Sequence, residues 1–530
     1  MNKTNTKNYI YLILVVGFLL NLYSVWWGLP SVGGRNWAPD EISPVDVYRG
    51  IASLFSGGWH ERYPPLHFYI LTVFYLPFVI LDRLGAVNLY SQELITTLYF
   101  VGRMISVIMG TALIYVVYKC GKELADHKAG LYSAIIAMLI CPLSYYSKTT
   151  NLDVPYLFWF TLSLLFFIKA LKHVDLHYYL LFTIFAVFSL CTKDQSYGLF
   201  FGMGLILLVQ FLWFYFKNNR TASKLIFKNS WISILVGIVL FLLIYNVIFN
   251  YSGFIGHIKQ IVGIGAERQG APSIRRYNYS LSSQVDMFLQ STKHLIFLLG
   301  IPFFIAFILG MVYSLVKSKR NLFLFSLILI PIGYYLTFMI PTAYNYDRHI
   351  IPIAIISSLF GGVFFSEFLH KKKFGGVQLK VSIFIIISLI YLYKNLLVGI
   401  FMDNDSRYEA KEWITNNVNS EQSIAGLGGL IHYYPRINFE KFSVLRTPSM
   451  VDSINFKPDY LITSSAYDIK RYRNQPEEVV ILTKLKNNEL GYKQVKSFEY
   501  QVKWNMLNIE SLFTNLDKIN PRITIYKRVQ

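Results

Sequence analysis

The chain has 530 residues, of which 54% are hydrophobic, 17% aromatic and only 15% charged, and its mean hydropathy is +0.41. A water-soluble domain could not bury this much apolar surface, so we expect a polytopic membrane protein. The net charge of +20 could suggest a nucleic-acid partner, but the sequence has no basic run interleaved with aromatic residues. Lys and Arg collect in the cytoplasmic loops of membrane proteins, so we expect membrane lipids as partners and no nucleic acid.

Apolar runs long enough to cross a bilayer recur along the first 400 residues. We predict about eleven spans, near residues 9–27, 94–118, 130–147, 153–171, 177–192, 197–216, 231–249, 293–317, 322–340, 348–366 and 379–400. The first run is too long for the apolar part of a signal peptide and has no small-x-small cleavage site, so it should remain as an anchor. The further run Leu66–Leu81 is borderline in length.

Loop charges decide how Leu66–Leu81 is placed. Four connections between spans are basic, and the N-terminus is basic as well: Lys119–Lys128, Lys217–Lys228, Lys317–Arg320, Lys371–Lys373, Lys3 and Lys7. All of them are cytoplasmic if the N-terminus is cytoplasmic and Leu66–Leu81 does not cross the membrane. We therefore predict a half-inserted or interfacial helix there, with Pro64 and Pro65 at its start.

The side of the membrane predicted for each loop gives the domain organisation. Residues 1–402 form a membrane domain with a first outer loop at about 28–91 and a long outer loop at about 250–292. Residues 403–530 are extracytoplasmic, and they combine a helical pattern at Asp405–Ile414 with strand-like runs such as Tyr460–Thr463. The predicted fold class is mainly α, a polytopic helical bundle followed by a small α/β domain.

The three cysteines lie in separate apolar segments, and the C-terminal part has none: Cys120, Cys141 and Cys191. This distribution predicts neither a disulfide framework nor a thiolate metal cluster.

Two acidic sites lie on the predicted outer face. Asp40 and Glu41 follow the first span in a segment rich in Trp, Gly and Pro, and Asp153 begins a later span. Asp40-Glu41 could instead cap and begin a helix at Ile42–Phe55, and Asp153 could be an N-cap neutralised by Lys148. Charges at a membrane boundary are costly unless they are paired, hydrated or used, so we interpret these carboxylates as candidate catalytic groups.

Two basic residues share this face. Lys193 occupies a connection of about five residues between spans, where it either snorkels to headgroups or meets a lipid phosphate. Arg348 begins a span, where it either pairs with Asp347 or binds a phosphate bidentately. The sequence has neither His-Glu-x-x-His spacing nor a Gly-rich phosphate loop, so this arrangement suits a lipid-phosphate substrate better than a nucleotide.

These pieces occur in the order of a known family. The matching motifs are Asp40-Glu41, Tyr63-Pro64-Pro65-Leu66, Asn151-Leu152-Asp153-Val154-Pro155, Thr192-Lys193 and Arg348-His349-Ile350-Ile351-Pro352. By this order and membrane side the chain resembles the C-type (GT-C fold) membrane glycosyltransferases, specifically the bacterial relatives of the protein O-mannosyltransferases and of the lipid A aminoarabinose transferase. The resemblance spans nearly the whole chain, because the C-terminal part also looks like the outer domain of that family.

The resemblance implies that a sugar moves from a polyprenyl-phosphate donor to an acceptor hydroxyl, with inversion, at the outer face of the cell membrane. The acceptor can be a lipid, a glycan or a protein. Asp40 is then expected to act as general base, since an alcohol is a poor nucleophile at neutral pH. Lys193 and Arg348, with Arg62 as a further candidate, are expected to stabilise the leaving phosphate.

Glu41 and Asp153 are expected to orient the acceptor, to hold the base or to share a divalent ion. No cofactor is expected to be required, and dependence on Mg or Mn is left open. The Gly- and Arg-containing loop 250–292 is either a mobile cover over the site or a plain solvated loop.

The competing function classes are a lipid-linked sugar transporter or flippase and a membrane-anchored binding protein. A transporter should place ionisable groups near the bilayer midplane. Arg103 and Lys394, the charged residues within the spans that stand out, lie near span ends and are expected to snorkel. The charge distribution therefore favours the enzyme.

Overall fold

A computed structural model gives the fold and describes residues 9–31, 36–53, 63–261, 276–316, 323–369, 376–427, 432–438, 441–445, 450–467 and 476–529. The N-terminal part is a helical bundle, as the composition predicts. Its helices are α1 (Tyr9–Leu22), α2 (Pro44–Ala52), α3 (Leu66–Arg83), α4 (Gln92–Leu124), α5 (His127–Met138), α6 (Cys141–Tyr146), α7 (Asp153–His173), α8 (Leu176–Leu190), α9 (Tyr197–Phe216), α10 (Arg220–Ile244), α11 (Tyr251–Ile261), α12 (Leu281–Leu299), α13 (Ile301–Val316), α14 (Phe323–Thr342), α15 (Asp347–Leu369) and α16 (Val377–Asp403).

Eight helices of the described ranges are long and apolar enough to cross a membrane. They are α3, α4, α7, α14, α15, the helix Asp194–Phe216 that contains α9, α10, and the helix Val377–Asn417 that contains α16. Since α3 passes this test of length and composition, its half-inserted or interfacial placement stays a prediction. The exact number of spans stays a prediction too.

Several predicted runs are not single continuous helices. The run 293–317 is divided between α12 and α13, which meet at an angle of 110° around Gly300, whose φ is +79°. The run 130–147 is divided between α5 and α6, and α1 and α8 are apolar but short, with 14 and 15 residues. Hydropathy did not reveal these breaks because the residues on both sides of each are apolar.

The segment 250–292 is not one long loop, contrary to the sequence prediction. It contains α11 and the first half of α12, and α12 begins with Ser280 as its N-cap. The centre of the predicted cover, residues 262–275, lies outside the described residues. Whether this segment covers the site therefore stays a prediction.

The C-terminal part is a small α/β unit, as predicted. Its elements are α17 (Ser406–Asn417), β1 (Ser423–Gly426), β2 (Ser443–Leu445), α18 (Met450–Asn455), β3 (Tyr460–Ser464), α19 (Pro476–Lys486), β4 (Tyr492–Phe498) and β5 (Ile523–Arg528). The strand order is β2-β1-β3-β5-β4, with parallel pairing of β1 to β2 and β3 and antiparallel pairing of β5 to β3 and β4.

Apolar clusters cover both faces of this sheet. Ile414 of α17 packs with Ile462 and Ile525 on one face, while Leu485 of α19 packs with Leu461 on the other. The strand-like runs seen in the sequence became β3 and β5 because their alternate residues face these two clusters.

A long connection, residues 499–522, joins β4 to β5, and we call it the strap. Leu507, Leu516 and Ile519 of the strap are buried in the core cluster of the membrane bundle, not in the clusters of the sheet. The C-terminal unit therefore packs on the bundle through the strap.

Candidate active site

Asp40 stands in a backbone conformation that is uncommon for a residue with a side chain. Its φ is +61°, in the left-handed region, and such residues cluster at functional sites. Its carboxylate is 35% exposed and accepts a hydrogen bond of 2.8 Å from Nη1 of Arg348. The next helix, α2, starts at Pro44 and has Ser43 as its N-cap. The alternative that Asp40-Glu41 caps this helix is therefore wrong.

Glu41 is fully engaged inside the protein. Its Oε1 accepts from Arg103 Nε at 2.7 Å and from Thr150 N at 2.8 Å, and its Oε2 accepts from Arg103 Nη2 and Asn36 Nδ2, both at 2.8 Å. The side chains of Glu41 and Arg103 are both 0% exposed. Glu41 thus ties the loop of Asp40 to α4 and to the loop before α7.

Arg103 does not snorkel, contrary to the sequence prediction. Besides Glu41, it binds the backbone carbonyl groups of Val25 and Trp27 just after α1. Sequence reasoning missed this pair because the two residues are 62 positions apart. The available signal was an arginine in an otherwise apolar run, which is expected to have a partner.

Asp153 is the first residue of α7, and its side chain is 0% exposed. The N-cap position of α7 is Leu152, and Asn151 Oδ1 accepts from the backbone N of Asp153 at 2.7 Å, so Asp153 is not the N-cap. Asp153 Oδ1 pairs with Lys193 Nζ at 2.6 Å, while its buried Oδ2 has no hydrogen-bond partner among the described residues. An unsatisfied buried acceptor of this kind is rare in proteins and is suited to receive a donor from a bound molecule.

Lys193 therefore points inward and does not snorkel, and its side chain is only 12% exposed. Burial lowers the pKa of the Lys193 ammonium below its ordinary value. The carboxylate of Asp153 opposes this shift, the charge of Arg348 adds to it, and Asp40 opposes it weakly. These four charged side chains thus lie close enough to influence one another.

Arg348 is the second residue of α15, and its side chain is 20% exposed. Its backbone N donates to Asp347 Oδ1 at 2.6 Å, but its guanidinium turns to Asp40 and lies 5.3 Å from the ring centre of Tyr346. The alternative pairing of the Arg348 and Asp347 side chains is therefore wrong. Arg348 Nε is buried and has no hydrogen-bond partner within the described ranges, so it can donate to a ligand.

Two other lysines have structural partners. Lys148 does not neutralise Asp153, because its Nζ donates to Leu20 O at 2.7 Å and to Ser144. Burial lowers the pKa of Lys148 to about 7. Lys394, predicted to snorkel, is buried and donates to Phe297 O at 2.6 Å. Both lysines satisfy carbonyl groups close to the C-terminal ends of helices, α1 and α12, that have no partner within the helix.

Arg62, the further phosphate-binding candidate, lies outside the described residues. In the described part of the chain, no group of three or more His, Cys, Asp or Glu could hold a metal ion. Of the two metal-ligand candidates, Glu41 is saturated by Arg103 and backbone or amide donors, and Asp153 is paired with Lys193. Glu41 would have to give up Arg103 to bind a divalent ion, and Asp153 offers only Oδ2 on a carboxylate already paired with Lys193, so these two residues alone do not form a metal site.

Residues 87–249 match the family model described as dolichyl-phosphate-mannose-protein mannosyltransferase. Over these 163 of its 530 residues, the chain is similar to the protein O-mannosyltransferases. The family resemblance drawn from the sequence motifs is thereby confirmed. A sequence search of curated proteins finds no match.

Solved structures bear on the fold of the chain. The oligosaccharyltransferase of Archaeoglobus fulgidus, crystallised with Zn and sulfate, superposes with a TM-score of 0.50 at 12% identity, over 98% of this chain and 88% of that one. ArnT of Cupriavidus metallidurans bound to undecaprenyl phosphate gives 0.47 at 12% identity, over 99% and 98%. The Pmt1-Pmt2 complex of S. cerevisiae gives 0.36 at 17% identity, over 48% and 35%. The first of these likenesses supports a GT-C fold.

Proposed function

We propose that the chain is an integral-membrane glycosyltransferase that moves a sugar from a polyprenyl-phosphate donor to an acceptor hydroxyl, with inversion. The observation that carries this proposal is the pair of contacts Asp40 to Arg348 and Asp153 to Lys193. Two of these residues lie in connections between helices, and the other two lie in the first turns of α7 and α15. Asp153 Oδ2 and Arg348 Nε have no hydrogen-bond partner among the described residues. Carboxylates and cations placed together in this way suit a reaction in which a hydroxyl loses a proton and a phosphate gains charge.

In the proposed reaction, the acceptor oxygen forms a bond to the anomeric carbon as the bond from that carbon to the phosphate oxygen breaks. The hydroxyl proton passes to Asp40, and the electron pair of the broken bond stays on the phosphate. Arg348 and Lys193 stabilise that charge. Attack from the face opposite the phosphate inverts the anomeric configuration.

Arg348 has two tasks in this scheme. Before the donor binds, it occupies Oδ2 of Asp40. The donor phosphate is a diester with one negative charge, as the Asp40 carboxylate has, and it gains a second charge as its bond to the sugar breaks, so its attraction for the guanidinium rises toward the transition state. Arg348 would thus be drawn from Asp40 toward the phosphate as the bond to the sugar breaks.

The other candidates receive supporting roles. Asp153 holds Lys193 and offers its free Oδ2 to a sugar or acceptor hydroxyl, while Glu41 fixes the loop of Asp40. Arg62 remains a candidate third phosphate-binding residue. No cofactor takes part in the proposed reaction, and no step passes through a metal.

We place the site on the outer face of the cell membrane. This placement rests on the basic loops, which put the N-terminus in the cytoplasm and residues 403–530 outside. Residues 1–402 then form the catalytic membrane domain. The donor sugar is a hexose or a pentose, and the acceptor is the hydroxyl of a lipid, a glycan or a protein.

The proposal is tested with the purified protein in nanodiscs, given polyprenyl-phosphate hexose or pentose labelled in the sugar, together with an acceptor extract of cell envelopes. We expect the label to move covalently into the acceptor fraction and polyprenyl phosphate to be released. In proteoliposomes, movement of intact donor across the bilayer with no release of polyprenyl phosphate would support the transporter instead. Binding of donor with neither outcome would support a membrane-anchored binding protein.

A further inference from the structure

We propose that the C-terminal unit positions both members of the Asp40 to Arg348 pair. It reaches Arg348 through Thr514 of the strap and the loop of Asp40 through His432 and two arginines. This inference rests on the proposed function of Asp40 and Arg348 and assigns a part in it to a unit that contributes none of the candidate catalytic residues.

The strap binds the residue immediately before Arg348. Asp347 N donates to Phe513 O at 2.9 Å, and Thr514 Oγ1 donates to Asp347 Oδ2. The other carboxylate oxygen of Asp347 accepts from Tyr146 OH at 3.1 Å and from Arg348 N at 2.6 Å. Asp347 and Thr514 are 0% and 1% exposed. The start of α15 is therefore held between the bundle and the strap.

Further bonds fix the strap at this point. Tyr346 OH donates to Asn515 Oδ1 at 2.7 Å, and Phe513 N donates to His294 Nε2 at 3.2 Å. The guanidinium carbon of Arg276 lies 3.3 Å from the ring centre of Phe513. These contacts surround the same short stretch of the strap, so its position is defined from several sides.

The second group of contacts holds the loop that carries Asp40. The indole of Trp37 is 2% exposed and has the guanidinium carbons of Arg407 and Arg436 at 4.1 and 4.7 Å from a ring centre. His432 Nδ1 lies 2.6 Å from the backbone O of Asn36, which is within hydrogen-bond distance. Asp40 comes three residues after Trp37 and has a left-handed φ, so its position depends on how the preceding turn is held.

The two groups of contacts predict different kinetic effects. Loss of the Thr514 hydrogen bond to Asp347 should make the position of Arg348 less well defined and weaken donor binding. Loss of the His432 contact with Asn36 O should displace Asp40 and lower kcat, with donor binding unchanged. A domain that only packed on the bundle would give neither of these separate effects.

The test compares Thr514→Val, Thr514→Ser and Thr415→Val in the full-length protein in nanodiscs. Valine keeps the shape of threonine but cannot donate to Asp347, and serine keeps the hydroxyl. Thr415 is an exposed residue of α17 whose hydroxyl donates to Lys411 O of the same helix. We expect Thr514→Val to raise the Kd for undecaprenyl phosphate and the donor KM by about 3- to 10-fold. Thr514→Ser should restore parental values, and Thr415→Val should not change them.

His432→Ala is the second variant and removes the imidazole that lies within hydrogen-bond distance of Asn36 O, together with its ring contact to Tyr433. We expect kcat to fall by about 3- to 10-fold with an unchanged Kd for undecaprenyl phosphate. This variant also keeps the proposal testable if Thr514→Val does not fold. Parental kcat in His432→Ala, or parental Kd and KM in a folded Thr514→Val, would overturn the positioning role of the corresponding contact.

Arg348→Ala separates this inference from the proposed function. If Arg348→Ala loses affinity for undecaprenyl phosphate while the Thr514 and His432 variants behave like Thr415→Val, the positioning inference is wrong and the proposed function stands. If Arg348→Ala binds undecaprenyl phosphate as the parent does, the phosphate assignment is wrong, and the inference fails with it. Nanodiscs of phosphatidylglycerol without undecaprenyl phosphate control for binding of ordinary lipid phosphate.

Discussion

Arg348 and Asp40 are 308 positions apart in the chain and joined by a hydrogen bond of 2.8 Å from Nη1 to Oδ2. One stands at the start of α15, the other in the loop between α1 and α2. Their contact places the proposed phosphate-binding cation directly against the proposed base. The predictions below depend on this contact and on the pair formed by Asp153 and Lys193.

The first prediction separates the two neighbouring acids. Glu41→Gln leaves the buried Arg103 without a counter-charge, and loss of one partner of a buried pair costs on the order of 3 kcal/mol. We therefore expect Glu41→Gln to lower the melting temperature of the purified protein, measured by thermal unfolding in detergent. The matched control is Glu412→Gln, because Glu412 is exposed on α17. Equal melting temperatures for the two variants would show that the Glu41 to Arg103 pair does not stabilise the fold.

Much of the fold follows from the sequence, but the contacts of its charges do not. Apolar runs and strand-like alternation predict the bundle and the small α/β unit. They do not reveal the bend at Gly300 or the burial of the strap, because both depend on packing between distant segments. For the same reason the prediction that Arg103 and Lys394 snorkel was wrong. In the structure Arg103 pairs with Glu41, and Lys394 donates to the carbonyl of Phe297.

For the candidate site too, the sequence predicts the residues but not their contacts. Charged side chains at a membrane boundary are energetically costly, and for this reason the sequence singled out Asp40, Asp153, Lys193 and Arg348. In the structure Asp40 pairs with Arg348, and Asp153 pairs with Lys193. Which cation joins which acid could not be derived, since helix packing decides it. Thr514 carries no sequence signal at all, because a single threonine in a long connection resembles any other.

The second prediction concerns pH. Burial lowers the pKa of Lys193, so raising the pH should remove its charge below the ordinary lysine range and weaken donor binding. Lys193→Arg keeps its charge at these pH values, so its alkaline loss of kcat/KM should move to higher pH. The measurement is kcat/KM for the donor against pH in both proteins. An identical alkaline limb in parent and Lys193→Arg would rule out Lys193 as the group responsible.

The third prediction concerns the two phosphate contacts. We expect Arg348→Ala and Lys193→Ala each to weaken donor use by about 1.5 to 3 kcal/mol, which is a loss of a charge-assisted contact to a buried phosphate. Arg348→Lys should recover only part of this, because lysine cannot bind a phosphate bidentately. Arg49→Ala is the control, since that side chain is 75% exposed on α2. Parental turnover of the donor by well-expressed Arg348→Ala and Lys193→Ala would contradict the assignment.

The fourth prediction is the topology. Basic loops place the N-terminus and residue Lys372 in the cytoplasm and Asn419, in the C-terminal unit, outside. Reporter fusions at Lys372 and Asn419 should therefore give opposite signals. A cytoplasmic signal at Asn419 would contradict the parity of spans and the outward placement of the site.

The central claim is that Asp40 removes the proton from the acceptor. Asp40→Asn keeps the size of the side chain, and asparagine tolerates the left-handed backbone of this position, so the fold should be retained. Asparagine cannot accept the proton, and general-base catalysis is typically worth about 10²- to 10⁴-fold. Asp46→Asn is the matched control, because Asp46 lies on α2 with its side chain 45% exposed.

The most direct measurement is the single-turnover rate of sugar transfer together with the Kd for undecaprenyl phosphate, in Asp40→Asn, Asp46→Asn and the parent. We expect Asp40→Asn to lose transfer by about 10²-fold or more while it still binds undecaprenyl phosphate and melts like the parent. Asp46→Asn should match the parent in all three respects. Transfer by Asp40→Asn at close to the parental rate would contradict the account, because the acceptor proton would then go elsewhere.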